Sequence, residues 1–196
     1  MSTTIYYVRH AVYENPDRLV PGRTPGYHLS KEGKEKAKKI GEFFKGKGVK
    51  NIYTSPLERA YETANIIGEF LPAARITHAY ELIETDATYW QTYKLEELFT
   101  NKYYETFLND PDTSTAPENL TKLSERMKNF ALDLCKKHPG EEIICVSHEY
   151  PILALRLSLE GKPLKQLRTL SAAMGSITTF EFNENCQFVK ATYKEV

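Results

Sequence analysis

Four short runs of β-branched and apolar residues, Ile5–Val8, Asn51–Thr54, Ile76–His78 and Glu142–Ser147, are each followed by a segment that reads as helix. This alternation constrains the chain more than any other feature. From Ser30, an N-cap, Ala37, Ile40, Gly41 and Phe44 recur at helical spacing until Gly46 and Gly48 end the pattern. Ser55-Pro56-Leu57-Glu58 has the form of a capping box with proline at the first helical position. The stripe Leu57, Ala60, Tyr61, Ala64, Ile67 and Leu71 then predicts a helix buried on one side. Residues 88–108 read as aromatic-rich helix, 109–117 as a polar break, and 118–137 and 151–159 as helices. Residues 176–182 and 186–193 pair as a hairpin around Asn183-Glu184-Asn185. Strands alternating with helices imply a three-layer α/β/α sandwich whose mostly parallel sheet carries an antiparallel edge strand. At 196 residues, one domain over 1–196 is expected.

The balance of charge narrows the partners. Lys+Arg and Asp+Glu number 26 each, so no bulk potential draws the chain to nucleic acid or to an anionic membrane. The lysines between Lys31 and Lys50 alternate with Glu32, Glu35 and Glu42, as on a solvated helix face. No run approaches the ~18 apolar residues of a membrane span. Cys135, Cys145 and Cys186 are odd in number and widely spaced, which argues against a disulfide framework and points to a reducing, cytoplasmic setting. Apolar helix faces suit a core or an interface, so a homo-oligomer stays open.

In parallel sheets the ligand crevice lies beyond the carboxyl ends of the strands. The first strand here ends in Arg9-His10, the fourth in Ser147-His148, and the second runs into a helix whose first turn holds Arg59. Helical side chains lean toward the N-terminus, so Arg59 is aimed at the same rim. A cation in a first turn opposes the helix dipole, which favours a bound anion as its reason for being there. Two guanidiniums can fork a phosphate, one imidazole can attack it in line, and the other can donate to its equatorial oxygens. Such a set needs no metal and no cofactor. The leaving alcohol still needs a proton, so a carboxylic acid should face the pair. Other catalytic patterns fail: His148-Glu149-Tyr150-Pro151-Ile152 lacks the second histidine of a zinc helix, and Ser147 and His148 should diverge as strand neighbours.

Taken in order, IYYVRHA, GRTPGYHLSKEGKEKA, IYTSPLERAYETA, ELIE, IICVSHEYPI and SITTFEF resemble the histidine phosphatase superfamily, in its phosphoglycerate-mutase-like branch (branch 1). The likeness covers nearly the whole chain. It implies that His10 is the phosphorylated nucleophile, that Arg9, Arg59 and His148 complete the phosphate pocket, and that Glu84 is the proton donor. Arg23 falls where members of the family contact substrate, and Asn15 stands one residue before the family's asparagine position. Glu149 replaces the glycine that usually follows the second histidine, and Asp86 lies where an aromatic-glycine segment is usual. Either carboxylate is a rival to Glu84 for acid duty, and Glu149 could instead meet a substrate cation or hydroxyl.

The activity expected is a metal-independent phosphatase acting on a small phosphorylated metabolite. A phosphoglycerate mutase that returns the phosphoryl group to its product, and a non-catalytic phospho-ligand-binding domain, are the alternatives.

Overall fold

The computed structural model describes residues 2–113 and 117–196. Six strands, β1 (Thr3–Arg9), β2 (Asn51–Thr54), β3 (Arg75–His78), β4 (Glu142–Ser147), β5 (Ile177–Phe182) and β6 (Phe188–Lys194), form one sheet in the order β3-β2-β4-β1-β5-β6. The strands β3, β2, β4 and β1 run parallel, and β5 pairs antiparallel with β1 and with β6. The antiparallel strand is therefore inside the sheet, and β6 takes the edge, because the hairpin adds its second strand outward.

Alternation along the strands divides the core. Tyr6 and Val8 of β1, Ile52 of β2, and Ile144 and Val146 of β4 face α1 (Lys31–Phe44) and α2 (Glu58–Glu69), meeting Ile40, Phe44, Ala60, Ala64 and Ile67. The alternate residues Ile5, Tyr7, Ile143 and Cys145 face α5 (Leu120–Lys137) and α6 (Glu149–Leu159), meeting Met127, Ala131, Leu134 and Ile152. The result is the helix–sheet–helix sandwich expected from the alternation.

Two helix starts behave as the caps require. Ser30 Oγ accepts the Gly33 N–H at 3.0 Å, and Asn119 Oδ1 accepts the Lys122 N–H at 2.9 Å. Gly33 is required for a further reason: a Cβ there would sit 1.8 Å from the Val12 carbonyl oxygen, so α1 packs directly on the backbone of the loop.

Three expectations change. Residues 88–108 form turns and two short helices, α3 (Leu95–Leu98) and α4 (Lys102–Asn109), rather than one helix. Thr92 has φ 71°, which breaks the helical path, and Asn101 starts α4 afresh by accepting from the Tyr103 and Tyr104 N–H groups. At 55–58 no capping box closes: α2 begins at Glu58, whose carboxylate instead accepts the Gly26 N–H at 3.1 Å. Finally, Cys135 near the end of α5 is disulfide-bonded to Cys186 in the β5–β6 turn. The pairing spans 51 residues and joins a helix to a hairpin, so spacing along the chain gave no hint of it. The polar break at 109–117 includes 114–116, which lie outside the described residues. Among the described residues, no helix is long and apolar enough to cross a membrane.

Candidate active site

Strand register builds the site. Arg9 lies opposite Ser147, so the next residues, His10 and His148, leave the sheet side by side. Their ring centroids are 5.1 Å apart. The next residue after β2, Ser55, donates its own N–H to the Val146 carbonyl at 2.9 Å and enters the same group. Beside these strand ends is a cavity of about 110 Å³ walled by Arg9, His10, Arg59, Glu84 and Glu149. Val20, Ala87, Trp90, Leu95 and Leu98 also line it.

Hydrogen bonds fix the histidine tautomers. His10 Nδ1 lies 2.9 Å from the Ala11 carbonyl oxygen, which can only accept, so the proton is on Nδ1 and Nε2 keeps its lone pair. Ser55 Oγ accepts the Leu57 N–H at 3.3 Å, and the acceptor within reach of its hydroxyl proton, among the described residues, is His148 Nε2, 2.8 Å away. That leaves the His148 proton on Nδ1. Burial, then the Arg59 and Arg9 cations, lower the His10 pKa well below the ordinary value. His148 is lowered as well, by burial first, then by Arg59 and by His10. Both imidazoles are neutral at pH 7.

Arg59 is 1% exposed although charged. Its Nε–H donates to His10 Nε2 at 3.3 Å and its Nη2 donates to the Gly22 carbonyl at 2.9 Å. Gly22 can present that carbonyl because it takes φ 48°, and a Cβ there would lie 2.7 Å from Gln91 Oε1. Thr63 Oγ1 donates to the Arg59 carbonyl at 2.7 Å and accepts the Ala11 N–H at 3.0 Å, tying α2 to the strand end. Arg9 Nη1 donates to the Ala172 carbonyl at 2.6 Å and faces Glu149 Oε2 at 3.0 Å. Arg9 Nε, Arg59 Nη1 and His148 Nδ1 are nonetheless buried donors with no acceptor among the described residues. An unpaired buried donor costs ~1–3 kcal/mol, so three clustered at one set of strand ends mark a place prepared for an anion.

The carboxylates separate by environment. Glu84 lies on the cavity wall, and burial pushes its carboxyl up to about 7, against the lowering effect of the Thr85 N–H, Arg59 and Arg9. Asp86 is turned into its own loop, accepting from Thr88 Oγ1 at 2.5 Å and pairing with Arg23 at 3.5 Å. Glu149 is the partner of Arg9.

Two residues expected to contact substrate are not on the cavity wall. Asn15 closes its own loop, donating to the Leu19 carbonyl at 2.8 Å and accepting the Leu19 N–H at 3.0 Å, and is not part of the cavity wall. Arg23 is also off the wall: it donates to the Glu84 carbonyl at 2.7 Å and to Glu118 at 3.0 Å. Arg126 holds the other side of Glu118 at 2.7 and 2.8 Å and donates to the carbonyls of Glu81 and Ile83. Ser147 Oγ donates to the Leu82 carbonyl at 2.7 Å, diverging from His148 as expected of strand neighbours. The segment carrying Glu84 is thus held by Arg23, Arg126 and Ser147. Of these, Arg126 and the Ser147 contact were not anticipated, because each reaches more than 40 residues along the chain.

An α/β sandwich with neutral imidazoles and buried guanidinium donors at its strand ends suits an enzyme that handles phosphoryl groups. The chain belongs to the histidine phosphatase superfamily (branch 1), whose family model matches residues 5–194. It is a phosphatase. It is 31% identical over 189 residues to an uncharacterized protein of Mycobacterium tuberculosis, covering 92% of this chain and 91% of that one. It is 30% identical over 186 residues to phosphoserine phosphatase 1 of Hydrogenobacter thermophilus, covering 90% and 85%. Among solved structures, it is similar to the phosphoserine phosphatase of Entamoeba histolytica in complex with 3-phosphoglyceric acid. There the TM-score is 0.85 at 26% identity, over 99% of this chain and 98% of that one.

Proposed function

We propose that this single-domain chain hydrolyses phosphomonoesters of small metabolites through a phosphohistidine on His10, without a metal ion. The observation that carries this reading is the unprotonated Nε2 of His10, left free by the Nδ1 contact to Ala11 and faced by Arg59. That lone pair attacks phosphorus in line, while Arg59 turns from it to the equatorial oxygens. Arg9 Nε, Arg59 Nη1 and His148 Nδ1 supply donors for the charge on the transferring group. Glu84, protonated up to about pH 7, gives its proton to the leaving alkoxide. In the second step the same carboxylate takes a proton from water, which attacks the phosphohistidine and releases inorganic phosphate. That the substrate is a small phosphorylated molecule is supported by the Entamoeba phosphoserine phosphatase, crystallised with 3-phosphoglyceric acid and, in a mutant form, with phosphoserine.

Turnover of phenyl phosphate by wild type and His10→Ala tests the reading. Release of inorganic phosphate by wild type, inhibition by vanadate, indifference to EDTA and loss of turnover in the variant are expected. Equal turnover by the two proteins, or activity abolished by EDTA and restored by a divalent ion, would overturn it. Interconversion of phosphoglycerates without phosphate release would make the enzyme a mutase instead.

A further inference from the structure

The cavity wall carries one carboxylate to which the proposed mechanism gives no chemical step. Glu149, the first residue of α6, places a carboxylate on the wall beside the phosphate donors. Only one of its oxygens, Oε2, faces Arg9, and the side chain remains about a third exposed, at 35%. An ionised carboxylate has about four lone-pair sites, so Glu149 can hold Arg9 and accept from a ligand at once.

The charges on the wall restrict what that ligand is. Both histidines are neutral, and Glu84 is protonated below about pH 7. Arg9, Arg59 and Glu149 remain, a net single positive charge facing a phosphate dianion. Arg23, the nearby cation that would greet a second anionic group, is turned away to the Glu84 carbonyl, Asp86 and Glu118. A substrate carboxylate would therefore meet Glu149 with no cation among the described wall residues left to offset it. Val20, Leu95 and Leu98 on the wall suit a short hydrocarbon, and Trp90, Tyr150 and Thr85 line it as well. A cavity of about 110 Å³ suits a small phosphorylated molecule.

Resting on the phosphatase reading above, we infer that the substrate is the phosphomonoester of a compact alcohol bearing an ammonium group and no carboxylate, with Glu149 as the residue that selects it. The amine donates to Glu149, the phosphate takes Arg9 and Arg59, and the hydrocarbon between them lies against Val20 and Trp90.

Phosphoethanolamine and O-phosphoserine differ by one carboxylate and make the matched pair, with phenyl phosphate reporting the basal chemistry. Wild type should show a kcat/KM for phosphoethanolamine about tenfold or more above that for O-phosphoserine, the size expected for one unscreened like-charge contact. In Glu149→Gln that ratio should collapse toward one. Wild type that turns over phenyl phosphate but hydrolyses O-phosphoserine as well as phosphoethanolamine overturns this inference and leaves the phosphatase reading standing. An unchanged ratio in Glu149→Gln removes Glu149 from the role. Failure of wild type on phenyl phosphate overturns the phosphatase reading itself.

Discussion

The Nε–H of Arg59 lies 3.3 Å from Nε2 of His10, on the ring nitrogen that the Ala11 carbonyl leaves without a proton. A permanently charged group thus faces the lone pair that attacks in the proposed mechanism and keeps a competing proton away. Arg59→Ala should lower kcat/KM on phenyl phosphate by about 10²–10³, the usual loss for one oxyanion-stabilising donor. The His10 pKa should rise in the variant, because one of the two cations that lower it is gone, and burial should still hold it under the ordinary value. Arg59→Lys should recover little, since a lysine cannot serve His10, Gly22 and a phosphate with one rigid fork. Steady-state kinetics with NMR titration of His10 checks both statements.

Glu84 gives a pH dependence whose sign is fixed. Its carboxyl is raised from the ordinary carboxylic range to about 7, so the acid form is present below that pH and lost above it. For alkyl phosphates, whose alkoxide needs a proton, kcat/KM should fall by about tenfold per pH unit above 7. Aryl phosphates with stable leaving groups should not share that limb. Glu84→Gln should cost ~10²–10⁴ on alkyl esters and far less on p-nitrophenyl phosphate. The unfolded state ionises this carboxyl more readily than the folded one, so its effect is to destabilise the fold, increasingly from the unfolded pKa up to about 7. Thermal melts should therefore find Glu84→Gln stabilised relative to wild type at pH 8 and not at pH 4.

Arg126 touches nothing on the cavity wall that reacts, yet it holds the Glu81 and Ile83 carbonyls and both oxygens of Glu118. Arg126→Met should cost ~1–3 kcal/mol, the range for charge-assisted hydrogen bonds lost at a largely buried site. Its kinetic effect should be greater on alkyl than on aryl phosphates, because Glu84 is what the network positions. Equal losses on both ester types would make Arg126 a purely structural residue.

How far the chain could be read from its letters depended on the range of the interactions. Strand ends are local features, so Arg9, His10, Ser147 and His148 stood out, and β2 and β4 have the bounds that apolar runs implied. Arg59 stood out because a cation in a first turn needs an anion to justify it. By contrast, Ser55 looked like a helix cap, and its actual partner, His148, is 93 residues away. Arg23 was legible as a residue of interest, but the direction of its guanidinium depends on Glu118, 95 residues on. The aromatic stretch 88–108 misled because a periodic pattern does not reveal a positive φ at Thr92. Of its rings, Trp90, Tyr104 and Phe107 are buried core, whereas Tyr89, Tyr93, Phe99 and Tyr103 stay exposed.

The Cys135–Cys186 bond closes a loop of 51 residues and links α5 to the β5–β6 hairpin. In the chain-entropy account a loop of that length is worth about 4 kcal/mol. Cys186→Ser, or wild type melted with reductant, should lose stability toward that figure while keeping its kcat on phenyl phosphate, since neither cysteine is on the cavity wall. Melting curves that do not respond to reductant would show the bond to be energetically idle.

The central claim is a covalent intermediate on His10, and rapid quench tests it most directly. Mixing the enzyme with labelled substrate and stopping within a turnover should trap one acid-labile, alkali-stable phosphoryl group, mapped by mass spectrometry to His10. His10→Ala should trap none. Label on another residue, or full turnover with no phosphorylated protein at any time point, would contradict the account.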